Sequence, residues 1–178
     1  MKTPTPCSDI SPYDKAARGT KHQPLGPGVR ARGGSGGQAA PMLVKGHRFE
    51  RRLRWTREEI VEFATLVEDS NPLHHDDAYA EGTRFGGLIA SGAQSVAYLM
   101  AFCASAATAE NPGVGLEFNF KLVGPAKPGE EITLAWEVIS VEQSERPRGT
   151  IVTLEGEASA PGRRILTATA RTLLVPSL

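Results

Sequence analysis

The sequence contains no apolar run that approaches the ~20 residues a membrane span requires. Its first stretch, MKTPTPCSDISPYDKAARG, is too polar to serve as a secretory signal, so neither insertion nor export is expected. Cysteine is scarce: Cys7 lies in a polar stretch and Cys103 in an apolar one. Two such positions make no disulfide framework, and a reducing cytoplasmic setting is expected. Cys103 reads as a small buried hydrophobe. Charge of one sign is also lacking. Lys+Arg and Asp+Glu each total 20, so the net charge is +0, and neither nucleic acid nor an anionic membrane is expected as the main partner. Hydrophobic residues make up 40% of 178 residues, enough for one packed core with some chain to spare.

Residues 1–43 differ from the rest. They include KHQPLGPGVRARGGSGGQAAP, rich in Gly, Pro and charge and without a periodic apolar pattern. Such a segment buries too little to offset its ordering entropy, which predicts a disordered N-terminal extension. A transit peptide, a docking arm, a solvated extension and a misplaced start codon all fit it. From residue 44 onward the texture changes. VKGHRFERRLRWT alternates charged and apolar residues and predicts a first strand. Thr56 before Glu58 and Glu59 predicts a helix start, and Ile60, Phe63, Ala64 and Val67 extend that helix to about Glu68, before Asn71-Pro72 breaks it. A second helical piece, DDAYAEGTRF, follows. Ser91-Gly92 then opens AQSVAYLMAFCASAATA, predicted to be a helix buried on most sides. Four strand-like runs close the chain, VGLEFNFKLV, EITLAWEVISVE, GTIVTLEGEAS and RILTATARTLLV, parted by turn signals at GPAKPGE, SERPRG and APGRR. This order is α+β, and one economical solution is a single domain over residues 44–178 whose antiparallel sheet wraps the long apolar helix.

Chemistry concentrates between residues 63 and 92, where Asp69, Asn71, His74, His75, Asp76 and Asp77 crowd a turn-rich span held by rigid flanks. On a continuous helix Asp69 and His74 would sit roughly 140° apart; a break at Asn71-Pro72 can fold them toward one point. A carboxylate and an imidazole converging on one water make an acid–base pair, and Asn71 can hold that loop in register. Turn residues and a solvated face at His75, Asp76 and Asp77, with one aspartate capping the next helix, are the structural alternative. Adjacent histidines converge poorly on one ion, and no metal site is expected. At Gly92 an unpaired helix N–H and the absence of a Cβ would let a carbonyl oxygen approach the backbone; a plain tight turn would look the same.

The string D-S-N-P-L-H-H-D, residues 69–76, resembles the D-x-N-P-x-H-x-D signature of MaoC-like dehydratases, a family that includes (R)-specific enoyl-CoA hydratases. F-G-G-L-I-A-S-G, residues 85–92, is similar to that family's approach to its central helix, and the resemblance spans residues 45–176. It implies a hotdog fold that forms a homodimer with the site near the interface. It implies that Asp69 and His74 activate a water adding across the 2,3 double bond of an enoyl thioester, with the Gly92 N–H on the thioester carbonyl and Asn71 in support. No cofactor or metal is implied; the substrate brings its own coenzyme A or carrier-protein arm. Many hydratases of the family have His where this chain has Ser91; some dehydratase-like members have Ser there, often followed by a bulky aromatic, whereas here Ala93 and Gln94 follow. An acyl-carrier-protein dehydratase, a hotdog thioesterase and a non-catalytic acyl-binding module are the alternatives. Arg84, Lys121, Lys127, Arg146 and Arg148 are the bases from which an anionic carrier would choose.

Overall fold

The computed structural model describes residues 43–109 and 111–175. The expected extension over residues 1–43, with Cys7, lies outside the described residues apart from Leu43. A first strand, β1 (Arg48–Leu53), leads into α1 (Arg57–Leu66), a 3-10 turn (Pro72–His74), α2 (Asp77–Glu81) and the long α3 (Gly92–Ala107). Four strands complete the order: β2 (Gly113–Leu122), β3 (Ile132–Glu145), β4 (Arg148–Ala160) and β5 (Arg163–Leu174). They form one antiparallel sheet, ordered β1-β3-β4-β5-β2, with β1 and β2 at its edges.

Local sequence accounts for the elements. In β5, Leu166, Ala168, Ala170 and Thr172 turn inward while Thr169 and Arg171 face out, the period-two pattern of a sheet with one covered face. Thr56 and Glu59 form a capping box at the start of α1: the Glu59 N–H donates to Thr56 Oγ1 at 3.2 Å and the Thr56 N–H to Glu59 Oε2 at 2.8 Å. The helix closes slightly before the expected Glu68, because Glu68 itself takes a left-handed conformation (φ 58°) and the Asp69 N–H turns back to the Ala64 carbonyl at 2.8 Å.

The core lies between α3 and the sheet. Leu99, Phe102, Cys103 and Ala107 are buried on α3, which packs against β2, β3, β4 and β5. The expectation that this helix is buried on most sides holds for one face only. Ala93, Met100, Ala101 and Ala104 are exposed, since a single sheet covers one side of a cylinder and small alanines lose little by meeting water. Depth is set by Trp136 on β3, whose Nε1–H donates to the Leu99 carbonyl at 3.0 Å. Directly across the ladder is Gly156. A Cβ there would come within 2.5 Å of the Trp136 ring, a rigid and fully buried group. Gly156→Ala is therefore expected to lower unfolding stability by about 1–3 kcal/mol through overpacking, readable as a shifted urea midpoint with an unchanged slope.

Candidate active site

Asp69 directly follows the left-handed Glu68 that ends α1, so its side chain leaves the helix axis and meets the segment ahead of α3. Asn71 caps the 3-10 turn, its Oδ1 accepting from the Leu73 N–H at 3.1 Å. That turn carries His74 inward until only 5% of it is exposed. The Ile89 N–H donates to the Leu73 carbonyl at 3.1 Å, lacing the turn to the approach to α3. One more bond across the same seam fixes the imidazole: His74 Nδ1 lies 2.8 Å from the Ile89 carbonyl. A carbonyl can only accept, so Nδ1 carries the proton, and in the neutral ring Nε2 presents a lone pair.

That nitrogen lies 3.4 Å from Asp69 Oδ2. The span is long for a direct hydrogen bond and, with the neutral ring, no proton stands between the two atoms. Asp69 is held by two donors on its carboxylate and one on its backbone carbonyl. Ser91 Oγ–H donates to Oδ2 at 2.7 Å, and the Asn71 N–H donates to Oδ1 at 3.2 Å. His75 Nε2–H donates to the Asp69 backbone carbonyl at 2.6 Å. The Ser91 hydroxyl, above all, holds the Asp69 carboxyl below its ordinary range; partial burial opposes this, and the Asn71 N–H and the two imidazoles add to it.

His74 borders a cleft of about 590 Å³, with Asn71, Ile89, Gly92, Ser95 and the 122–126 segment among its other walls, and Asp69 stands next to it through the 3.4 Å approach to His74 Nε2. Gly92 is the first residue of α3, and among the described residues nothing accepts from its N–H. A Cβ at Gly92 would come within 2.6 Å of Leu122 Cδ1, so the missing side chain keeps this corner open. The structure thus brings Asn71, His74 and Gly92 together around one cleft, with Asp69 beside His74. Of the neighbouring residues, Asp76 and Asp77 lie on the solvated face expected of them, with one aspartate capping the next helix, and only His75 departs from it. His75 is half-buried on the Asp69 backbone, Asp76 caps α2 by accepting from the Tyr79 N–H at 3.0 Å, and Asp77 pairs with Arg57 at 2.9 Å. Sequence reasoning assigned Ser91 only a helix cap, which it is, accepting from the Ala93 N–H at 3.3 Å. Its bond to a carboxylate 22 positions earlier carries no local signal. The Ile89 carbonyl, a backbone atom, left no trace in residue type. Of the five expected bases, Arg84 lines this cleft and Lys127 an adjoining depression; Lys121, Arg146 and Arg148 line neither.

Residues 40–158 match the family model described as the MaoC like domain. The chain is 32% identical, over 121 residues, to an (R)-specific enoyl-CoA hydratase of Aeromonas caviae, a match covering 65% of this chain and 84% of that protein. It is similar to the solved (R)-hydratase from A. caviae, with a TM-score of 0.66 and 27% identity over 76% of this chain and 100% of that one. A MaoC-like dehydratase from Rhodospirillum rubrum matches with a TM-score of 0.66 and 26% identity, over 76% and 96% of the respective chains. The sheet and central helix described above are thus the hotdog arrangement that the sequence implied. A dyad-bearing turn joined by Ser91 to an open helix tip accompanies this similarity, and the chain belongs to the MaoC-like family as a hydratase/dehydratase enzyme.

Proposed function

We propose that the protein catalyses reversible hydration of a 2-enoyl-CoA to the (R)-3-hydroxyacyl-CoA, with Asp69 and His74 activating the water. The observation that carries this reading is the meeting of two hydrogen-bond acceptors, Asp69 Oδ2 and His74 Nε2, 3.4 Å apart beside a helix N–H that has no partner among the described residues. Two acceptors at that distance suit a water that donates one O–H to each and keeps a lone pair for C3 of the substrate. As the C3–O bond forms, the π electrons of the double bond move onto the thioester oxygen, giving an enolate. The Gly92 N–H and the positive end of the 16-residue α3 stabilise that charge, and one such donor is worth roughly 10²–10³ in rate. The water proton passes to the dyad, which returns a proton to C2, so the sum is one water added. Water and thioester supply every atom, and the reaction needs no cofactor or metal. Asn71 contributes by shaping the turn that aims His74. The lowered pKa of Asp69 keeps its carboxylate charged at neutral pH, ready to accept.

The reading includes a homodimer. β2 is an edge strand with an open ladder, and Val114 (57%) and Leu122 (55%) on it are largely exposed. Leu122 also walls the cleft, so a second copy on this edge would help to enclose the acyl group. Among the described residues no helix is long and apolar enough to cross a membrane. The cytoplasmic setting rests on the cysteine usage; burial pushes the Cys103 thiol up to about 12, which leaves it inert.

Three outcomes are expected. Asp69→Asn should lower kcat for crotonyl-CoA hydration roughly 10³-fold with an unchanged circular dichroism spectrum, and the wild-type product should be R at C3; full activity in the variant would sink the dyad. Ser91→Ala removes a donor to the charged form, so the Asp69 carboxyl rises toward its usual range. Activity is lost as this carboxylate is protonated, and the acidic limb of the kcat/KM profile should therefore move to higher pH. Val114→Lys with Leu116→Lys should turn a dimer into a less active monomer on light scattering, whereas a wild type already monomeric at working concentration would remove the dimer.

A further inference from the structure

The cleft continues past the dyad. It shares Arg84, Phe85 and Pro125 with an adjoining depression of about 390 Å³ that is also walled by Lys127, Glu130 and Arg163. Charge there is uneven. Three bases and one acid face the same hollow on a chain whose net charge is +0. Arg163 is already engaged, donating to the Pro125 carbonyl at 3.1 Å and pairing with Glu130. Glu130 in turn accepts from the Lys127 N–H at 3.0 Å. This clamp ties the 125–127 segment to β5, and it gives that wall of the hollow a fixed position. Ala126, in the same segment, accepts from the Ala90 N–H at 2.8 Å, so the wall is also referenced to the strand of chain leading into Ser91.

Arg84 and Lys127 are left over. Among the described residues neither has a carboxylate within ion-pair distance, although other exposed arginines, such as Arg57 and Arg164, do. The Arg84 guanidinium lies 4.9 Å from the centre of the Phe85 ring, which limits its swing while leaving its N–H donors free. Lys127 is half-buried, its stem against the wall. Besides Arg84, the walls that the two hollows share are apolar, Phe85 and Pro125. A cleft lined by the unpartnered Gly92 N–H and by these apolar walls, continuous with a hollow that carries two cations without an ion-pair partner among the described residues, fits an amphipathic tether that ends in phosphate.

We infer that Arg84 and Lys127 seat the phosphate at the far end of the substrate's pantetheine arm, with Phe85 and Pro125 walling the arm on its way to Gly92. The inference rests on the hydratase reading for the identity of the thioester and goes beyond it in assigning the residues that hold the carrier. Arg offers paired N–H donors to phosphate oxygens and Lys a point charge. Coenzyme A and the prosthetic group of a carrier protein both place a phosphate there. Two unpaired cations on one hollow match the diphosphate of coenzyme A better than the single phosphodiester of a carrier.

The test uses the full chain with crotonyl-CoA, crotonyl-pantetheine, which has no phosphate, and a crotonyl-loaded acyl-carrier protein. In Arg84→Gln and in Lys127→Gln, the preference for crotonyl-CoA over crotonyl-pantetheine, as a ratio of kcat/KM, should each fall about tenfold, the scale of one lost charged hydrogen bond. The loss should appear in KM, and added salt should shrink the wild-type preference. If the carrier-protein substrate is the one preferred and the same variants erase that preference, the phosphate seat stands with the other source. A ratio that stays at the wild-type value in both variants overturns the seat. Calorimetric binding of desulfo-CoA needs no turnover and separates the two readings. Binding that weakens in both variants, in a protein that hydrates no thioester, keeps the seat and removes the hydratase. Hydration by a wild type whose variants bind desulfo-CoA equally well removes the seat and keeps the hydratase. A protein that neither hydrates nor binds overturns both.

Discussion

The Ser91 hydroxyl holds Asp69 Oδ2 at 2.7 Å, and the geometry of the cleft depends on that bond. Asp69 follows the end of α1 and Ser91 caps the tip of α3, so the bond ties these two elements together beside the Leu73–Ile89 and His74–Ile89 bonds across the same seam. Ser91 is fixed because it caps α3, and α3 is fixed because the Trp136 indole holds the Leu99 carbonyl against β3. The carboxylate is thereby referenced to the sheet through three hydrogen bonds and one helix. A loop aspartate without that chain of contacts would sample many rotamers, and each would carry its own distance to His74.

The same bond sets the electrostatics. A donor on the charged form holds the carboxyl below its ordinary range, and partial burial only opposes this. Opposite it, the Ile89 carbonyl takes the Nδ1 proton of His74 and so decides which nitrogen faces the carboxylate. Two acceptors then look at one another across 3.4 Å, an arrangement with no direct attraction of its own in the neutral state. Such a pair is held apart by its supports and suits a guest that donates twice. In the proposed reaction that guest is water. The Gly92 N–H, unpartnered among the described residues, supplies the complementary donor for developing negative charge.

The sheet edge and the outer face of α3 are less self-sufficient. Among the described residues β2 presents an open ladder with apolar side chains beside the cleft, and α3 shows Ala93, Ala101 and Ala104 to solvent. A core built on one sheet and one helix can bury only one side of each. The cleft takes Leu122 from this open edge strand, which leaves that part of its wall uncovered among the described residues. The Arg163–Glu130 clamp on the 125–127 segment partly offsets this by anchoring the opposite wall to β5.

The sequence by itself determined a good deal. The order of elements followed from periodicity, the break at Asn71-Pro72 from backbone chemistry, and the Asp69, His74 and Gly92 constellation from a motif whose residues lie within one short span. These are local properties, decided by neighbours a few positions away, and so they survive in a linear string. What the tertiary structure alone decided are contacts between distant positions. Ser91 on Asp69, Ile89 on His74 and Gly156 under Trp136 depend on backbone atoms or on pairs brought together by the sheet. The tautomer of His74, the burial of His75 and the position of Arg84 and Lys127, of the five bases, along the cleft and its adjoining hollow likewise belong to three dimensions. A residue type states what a side chain can do; only the packed chain states what stands within 3 Å of it.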